Sequence, residues 1–344
     1  MLSVNGSFLE GGGQIVRTAL ALAALTKQSF EIKDIRKGRK QSGLKPQHLH
    51  AIKALQELCN ATVEGNTTGS EYLKFIPKKF RPKNMLIDIG TAGSITLLMQ
   101  SLLPPLALAQ RKVKLTLLGG TDTEWAMPID YFKNVFMPFL KPYAEIEVNL
   151  LKRGYYPKGG GHVEITINPK FDIETRRLAP KLNLTEKSEL ICIKGVSHAS
   201  MDLETAEVAM RQKKSAEITL NHKPDITAEY CNTLSTGSGI VLWAVYNNTI
   251  LGADSLGKPG KKAENVGFEA AKSLQKEIEA NKPIDKHLAD NLIPFLGLFG
   301  GTITTTEITK HTLTNIYVTE LFLNRKFEVN KKGNIIRLIE QNKI

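Results

Sequence analysis

A chain of 344 residues, 42% of them hydrophobic, is long enough to bury a sizeable core in one large or two medium domains. Its formal charge of +12 is clustered, with six basic residues against one acid over Lys33–Lys45 and five against none over Lys74–Lys83, which favours a polyanion such as nucleic acid or nucleotide phosphates over a solvated basic face. Three widely spaced cysteines without a CxxC argue against a disulfide framework or a cysteine zinc cluster, no apolar run is long enough to span a bilayer, and "MLSVNGSFLEGGG" lacks the regions of a signal peptide, so a cytoplasmic protein with no membrane partner is expected.

The first strong signal along the chain is "LEGGGQIVR" (Leu9 to Arg17), a glycine run opening the helix "GQIVRTALALAAL". Its amides could approach a phosphate with help from the helix dipole, and the same glycines would equally serve a tight strand-to-helix turn. Glu10 beside the loop could hold Mg²⁺ near phosphates, and Arg17 could reach an anion. "IRKGRKQSGLKPQHLH" follows, with Arg36 and Arg39 after a strand and Gln47 and His48 at the start of the helix "PQHLHAIKALQEL". Arginine forks suit phosphate, and a solvated loop is the competing reading. His48 and His50 face different directions on a helix and make poor joint metal ligands.

"CNATVEGN" then reads as strand, and "IGTAGSITLLMQSLL" repeats the glycine-loop-into-helix design. A helix is expected over "PIDYFKNVFMPFL", a strand over "KPYAEIEVN", and a hairpin loop or base-stacking element over "RGYYPKGGGHVEI". Next come "ELICIKGVS" as strand, "LETAEVAMRQKKSA" as helix, "DITAEYCN", "GIVLWAVYN" and "TILGADSL" as strands, and "KAENVGFEAAKSLQKEIEA" as helix. "GADSLGK" fits GxxxxGK, but Pro259 follows where a P-loop needs Ser or Thr, so a turn is expected there. Two helices, "HLADNLIPFLGL" and "HTLTNIYVTELFL", and the strand "NRKFEVN" complete the pattern.

These elements repeat. "CNATVEGN", "KPYAEIEVN" and "NRKFEVN" each follow an amphipathic helix that is itself preceded by another helix, giving a unit of helix, strand, helix, strand, strand with a leading strand where one is visible. Asn66 and Asn149 are 83 residues apart, whereas Asn149 and Asn330 are 181 apart, an excess of 98. A small α/β domain inserted in the third repeat, roughly residues 182–285, accounts for that excess. The expected division is therefore a large domain of residues 1–181 plus 286–344 and an insert of 182–285.

GxSxG, HExxH and a kinase motif set are all missing, which draws attention to His311 at the start of the last helix. Imidazole is a competent nucleophile at phosphorus near neutral pH, although a lone histidine at a helix start is more often structural.

Seven stretches, "EGGGQIVRTALAL", "IRKGRKQSGLKPQHL", "IGTAGSITLLMQSLLP", "GGTDTEWAMP", "RGYYPKGGGHVE", "HLADNL" and "TKHTLTNIYVTELFL", together resemble the RNA 3'-terminal phosphate cyclase family, in the family's order and along nearly the whole chain. The resemblance implies an α/β (α+β) fold with three βαβαββ-type repeats like the C-terminal domain of translation initiation factor 3, and a smaller inserted α/β domain. It implies ATP-dependent conversion of an RNA 3'-phosphate to a 2',3'-cyclic phosphodiester through a histidine–AMP adduct and an RNA(3')pp(5')A intermediate.

By position, the resemblance makes His311 the nucleophile and Glu10 the ligand of Mg²⁺ or Mn²⁺. It assigns Gln100, Pro128, His287 and Asp290, with His311, to the ATP/AMP site, His287 standing where a relative has tyrosine. It assigns Arg17, Arg36, Arg39 and Gln47 to the RNA end or to phosphates, and suggests a homodimer. The alternatives are a non-cyclising cyclase-like RNA-processing protein, which the presence of His311 opposes, and an enolpyruvyl-transferase-like enzyme, which would not need that histidine.

Overall fold

The computed structural model describes residues 1–339. The first unit contains β1 (Leu2–Asn5), α1 (Gln14–Thr26), β2 (Phe30–Lys33), α2 (Pro46–Cys59), β3 (Thr62–Glu64) and β4 (Leu73–Ile76). Its sheet has the order β1-β2-β4-β3, with the first pair parallel and the other two antiparallel. A second unit repeats this with β5 (Met85–Asp88), α3 (Ile95–Ala107), β6 (Val113–Gly119), the short α4 (Ile129–Tyr131), β7 (Ala144–Lys152) and β8 (Gly161–Pro169), in the order β5-β6-β8-β7.

The third unit begins with β9 (Leu182–Leu184), and a fourth sheet then intervenes. That sheet comprises β10 (Leu190–Ser200), β11 (Asp225–Cys231), β12 (Ser238–Tyr246) and β13 (Ile250–Leu256), in the order β11-β10-β12-β13, with helices α5 (Val208–Thr219) and α6 (Ala263–Glu279). The third unit resumes with α7 (Lys286–Phe299), β14 (Gly301–Thr304), α8 (Lys310–Leu323), β15 (Lys326–Asn330) and β16 (Ile335–Ile339). Its strand order, β9-β14-β16-β15, matches the other two. Because β9 pairs in parallel with β14, Leu182–Leu184 belong to the third sheet and not to the insert, where composition alone places them.

The helices meet at the centre. "QIVRTALALAALT" has no polar face because α1 is enclosed, packed against α2, α3 and α8, with every residue from Ile15 to Leu25 except Arg17 buried. Aromatic contacts tie the units together: Phe30 meets Phe322 edge-on at 5.5 Å, Tyr143 stacks on Phe299 at 3.8 Å, and Phe136 meets Phe295 at 6.1 Å. The fourth sheet has its own core against α5 and α6, centred on Leu242, Ala244, Ala270 and Leu274. Its opposite face brings Val241 and Trp243 into the main core, and Gly252 lies so close to Tyr131 that an added Cβ would be 2.5 Å from the ring.

Three local expectations need correction. "PIDYFKNVFMPFL" is not one regular helix: three α-helical residues give way to a wide π turn at Phe132–Phe136 and a 3₁₀ turn at Met137–Leu140, where Pro138 has no N–H to donate. The helix expected over "LETAEVAMRQKKSA" starts only at Val208, because Glu207 adopts a left-handed conformation with φ 51°. Most of "GADSLGK" is strand β13, paired antiparallel with β12, and only its last two residues lie beyond the strand. No helix among the described residues is long and apolar enough to cross a membrane.

Candidate active site

The N-terminal ends of α1 and α8 meet at His311. Thr309 caps α8: its hydroxyl accepts from the Thr312 amide, and the Thr312 hydroxyl accepts from the Thr309 amide. Capping is thus the work of the threonines in "TKHT", and His311 lies in the first turn with its side chain still 47% exposed. Stacking of Phe8 on Tyr317 at 4.1 Å and the bond from the Asn5 amide to the Tyr317 hydroxyl hold the first unit against α8.

Gln14 fixes the imidazole. Its amide nitrogen donates to the His311 carbonyl at 2.7 Å, which leaves its oxygen to face His311 Nδ1 at 2.5 Å. That oxygen can only accept, so Nδ1 carries the proton and the lone pair resides on Nε2. Nε2 lies 3.2 Å from Glu10 Oε2, and Arg39 reaches the same carboxylate oxygen at 3.3 Å and the Glu10 carbonyl at 3.0 Å. Burial, together with the charges of Arg17 and Arg39, holds the His311 pKa below the ordinary histidine value against the opposing pull of Glu10. A neutral, reachable nucleophilic nitrogen results.

Beside it lies a cradle suited to an anion. The start of α1 has Gly13 as its N-cap and no side-chain cap; the Ile15 amide turns back to the Gly12 carbonyl at 3.3 Å, and no side chain covers this positive end of the helix dipole. An added Cβ on Gly13 would lie 2.0 Å from His48 Nε2. His48 itself is buried, accepts from the Lys45 amide through Nδ1, and is pushed down to about 3 by burial and by Arg17, Arg36 and Lys45. It therefore works as a neutral prop for the loop. Arg17 is lowered to about 10, chiefly by burial and then by Arg36, and Arg36 is lowered by burial and then by Arg39. Three guanidiniums close enough to oppose one another, one of them with a buried Nε lacking a hydrogen-bond partner among the described residues, form a site short of negative charge.

The remaining predicted residues occupy defined places. Gln100 on α3 accepts from Arg17 Nε at 2.8 Å and donates to Asn291 on α7 at 2.9 Å. The Asn291 amide returns to the His287 carbonyl. Pro128 caps α4, and Tyr131 one turn later bonds Asp285, the cap of α7, so Pro128 and His287 lie at the same edge. Asp290 does not touch His311. Its Oδ1 receives the hydroxyls of Thr309 and Thr312, and its carbonyl receives Asn315, so it anchors the turn that carries His311. Burial, with help from Asp285 and Glu10, raises its carboxyl to about 7. Gln47 lies on the other side of the α2 N-terminus, its Cβ 3.7 Å from where a Cβ on Gly93 would be.

Sequence reasoning missed Gln14, Asn291, Thr309, Thr312 and Asn315. Only the threonine spacing in "TKHT" carried a local signal, that of a cap. Glu10 offers one partly exposed carboxylate beside the cradle, which fits Mg²⁺ or Mn²⁺ arriving with phosphates, since such ions complete their shell with phosphate oxygens and water. The set of three or more metal-ligand side chains found among the described residues lies elsewhere, at Asp122, Asp130 and His198.

Residues 8–329 match the family model described as RNA 3'-terminal phosphate cyclase. The chain is 44% identical over 339 residues to the RNA 3'-terminal phosphate cyclase of Pyrococcus furiosus, covering 97% of this chain and 96% of that protein. It is 44% identical to the protein of the same name from Archaeoglobus fulgidus, covering 96% and 99%. With that of Sulfurisphaera tokodaii it shares 42% identity, covering 96% of each.

Proposed function

The chain belongs to the RNA 3'-terminal phosphate cyclase family, and from that premise we propose that it uses ATP to close an RNA 3'-terminal phosphate into a 2',3'-cyclic phosphodiester through a covalent adduct on His311. The observation that carries this reading is the His311 ring: Nδ1 is held by Gln14, and Nε2 is turned toward Glu10 and the arginine cradle.

In the first step Nε2 attacks the α-phosphorus of ATP, a P–N bond forms, and pyrophosphate leaves. Arg17, Arg36, Arg39 and the uncapped α1 amides would neutralise the charge on the departing phosphates or on the incoming RNA end, with Gln47 at the cradle's far side. An oxygen of the RNA 3'-phosphate then attacks the adenylyl phosphorus, the P–N bond breaks, and RNA(3')pp(5')A forms. Finally the neighbouring 2'-OH attacks the terminal RNA phosphorus, loses its proton, and expels AMP. A phosphate monoester has no good leaving group, so adenylation supplies one, and the last step is intramolecular. Mg²⁺ or Mn²⁺ held at Glu10 would add charge neutralisation at the phosphates.

Gln100, Pro128 and His287 would line the adenylate pocket, with Asp290 holding the α8 turn. The three like-ordered sheets support a large catalytic domain resembling the C-terminal domain of translation initiation factor 3, and the fourth sheet with its helices supports the inserted domain. A cytoplasmic homodimer completes the proposal. The test is incubation with α-labelled ATP and Mg²⁺ or Mn²⁺. An acid-labile, alkali-stable AMP is expected on the protein and none on His311→Ala; label persisting in that variant would overturn the assignment.

A further inference from the structure

A second group of chemistry-bearing side chains lies away from His311, where the fourth sheet meets the second unit. Arg153, just beyond the end of β7, is buried and donates to Asp122 Oδ2 at 3.1 Å and to Asp130 Oδ2 at 2.6 Å. It also bonds Glu229 of β11 at 2.7 Å. Three carboxylates thus surround one guanidinium, a formal excess of two negative charges, with Asp122 and Asp130 buried and the Glu229 side chain 39% exposed. Burying uncompensated charge is costly, so such an excess calls for a counter-charge.

The free atoms show where one fits. Asp122 is 3% exposed and His198, on β10, is 0% exposed. Asp122 Oδ1 and His198 Nε2 are both fully buried and have no hydrogen-bond partner among the described residues, yet they face each other at 3.4 Å. That separation is about the edge of a tetrahedron with ~2.1 Å metal–ligand bonds. Asp130 completes a set of three ligand atoms within 4.8 Å of one another. Each aspartate gives one oxygen to Arg153 and keeps the other, and the Tyr155 hydroxyl holds His198 Nδ1 at 2.7 Å. This is the outer-shell pattern of a ligating histidine and ligating carboxylates.

We propose that Asp122, Asp130 and His198 bind a divalent transition-metal ion, Zn²⁺ in the first instance, which pins the inserted sheet to the second unit. An imidazole in the set favours Zn²⁺ over Mg²⁺ or Ca²⁺. One divalent ion cancels the excess charge. With Nδ1 engaged by the Tyr155 hydroxyl, Nε2 is the His198 atom that faces Asp122 and can serve as the ligand. Ligands come from both sides of the junction, His198 from the insert and the aspartates from the segment between β6 and the first turn of α4. The ion would therefore fix the loop that leads into Pro128.

The test uses the full chain, stripped by chelator, reloaded with Zn²⁺ and passed through a desalting column. One equivalent of zinc is expected per chain, with a higher thermal midpoint than the stripped protein. His198→Gln and Asp122→Asn should each lose the equivalent, Glu10→Gln should keep it, and Tyr155→Phe should weaken affinity by roughly ten-fold. Co²⁺ bound to the unmutated protein should show the intense visible bands of a tetrahedral site, a readout that does not depend on any variant folding. Failure of the unmutated chain to retain zinc, or retention undiminished in both ligand variants, would leave a plain His198–Asp122 hydrogen bond and overturn the proposal.

Discussion

The first two units carry the same glycine-rich loop into their first helix, yet the two helix starts are capped differently. In "IGTAGSIT" the Ser94 hydroxyl accepts from the Leu97 amide, so α3 supplies its own cap. The corresponding helix of the third unit does likewise: Asp285 accepts from the amides of His287 and Leu288. Only α1 of these three begins without a side-chain cap. Its loop is instead crowded by His48 from below and faced by Arg39 and His311. The repeat supplies the turn, and the absence of a side-chain cap in one copy leaves that helix end the one suited to an anion under the proposed function.

The sharpest way to break this comparison is to add one methyl group to each loop. Gly13→Ala drives a Cβ into the buried His48 ring, and a loop displaced by about 1 Å should slow adenylation by about a hundred-fold. Pairing it with His48→Ala should restore much of the rate. Gly90→Ala meets nothing within 4 Å and carries only the strain of its φ of +71°, about 1–2 kcal/mol of stability, with adenylation little changed. Equal losses of adenylation rate in Gly13→Ala and Gly90→Ala would mean that the two loops do the same work.

A smaller effect is expected from the cradle. Arg36→Ala and Arg39→Ala should each reduce cyclisation of an oligonucleotide 3'-phosphate by about ten-fold or more, the scale of a lost charge-assisted hydrogen bond. Unchanged turnover in both would remove them from the site.

The smallest effect concerns pH. Adenylation needs the neutral form of His311, whose pKa is lowered, so single-turnover labelling should persist on acidification past the ordinary histidine value before it falls. Arg39→Ala removes a positive neighbour and should move that acid limb upward. Glu10→Gln removes a negative one and should move it downward. A limb that ignores both variants would place another group in control.

Much of this architecture is legible because it is periodic. The apolar spacing of α1, α2, α7 and α8 and the excess between the second and third repeats reveal the repeated unit and an insert from local pattern alone. The boundary at residue 182 is misplaced by composition because a three-residue strand is assigned by its partner, here β14 some 120 residues later. The α4 segment misleads because Pro138 interrupts what periodicity presents as one helix.

The site divides in the same way. Its motifs, with Glu10, Arg17, Arg36, Arg39 and His311, can be picked out by residue type and resemblance. The role of Asp290 as an anchor of Thr309 and Thr312 cannot, and neither can Gln14, whose side chain meets His311 across 297 residues of sequence. The Asp122–His198 facing pair is equally hidden, since it joins the insert to a loop of the second unit.

The sequence by itself determined the order of helices and strands, the family, and the stock of phosphate-binding and nucleophilic side chains. Hydrophobic period and residue chemistry are local properties that survive without a fold. Tertiary structure alone decided which histidine nitrogen is free, which carboxylate pairs and which anchors, and which of three like helix ends stays open. Those outcomes depend on distances of a few ångströms between segments that the chain brings together only when the central helices pack.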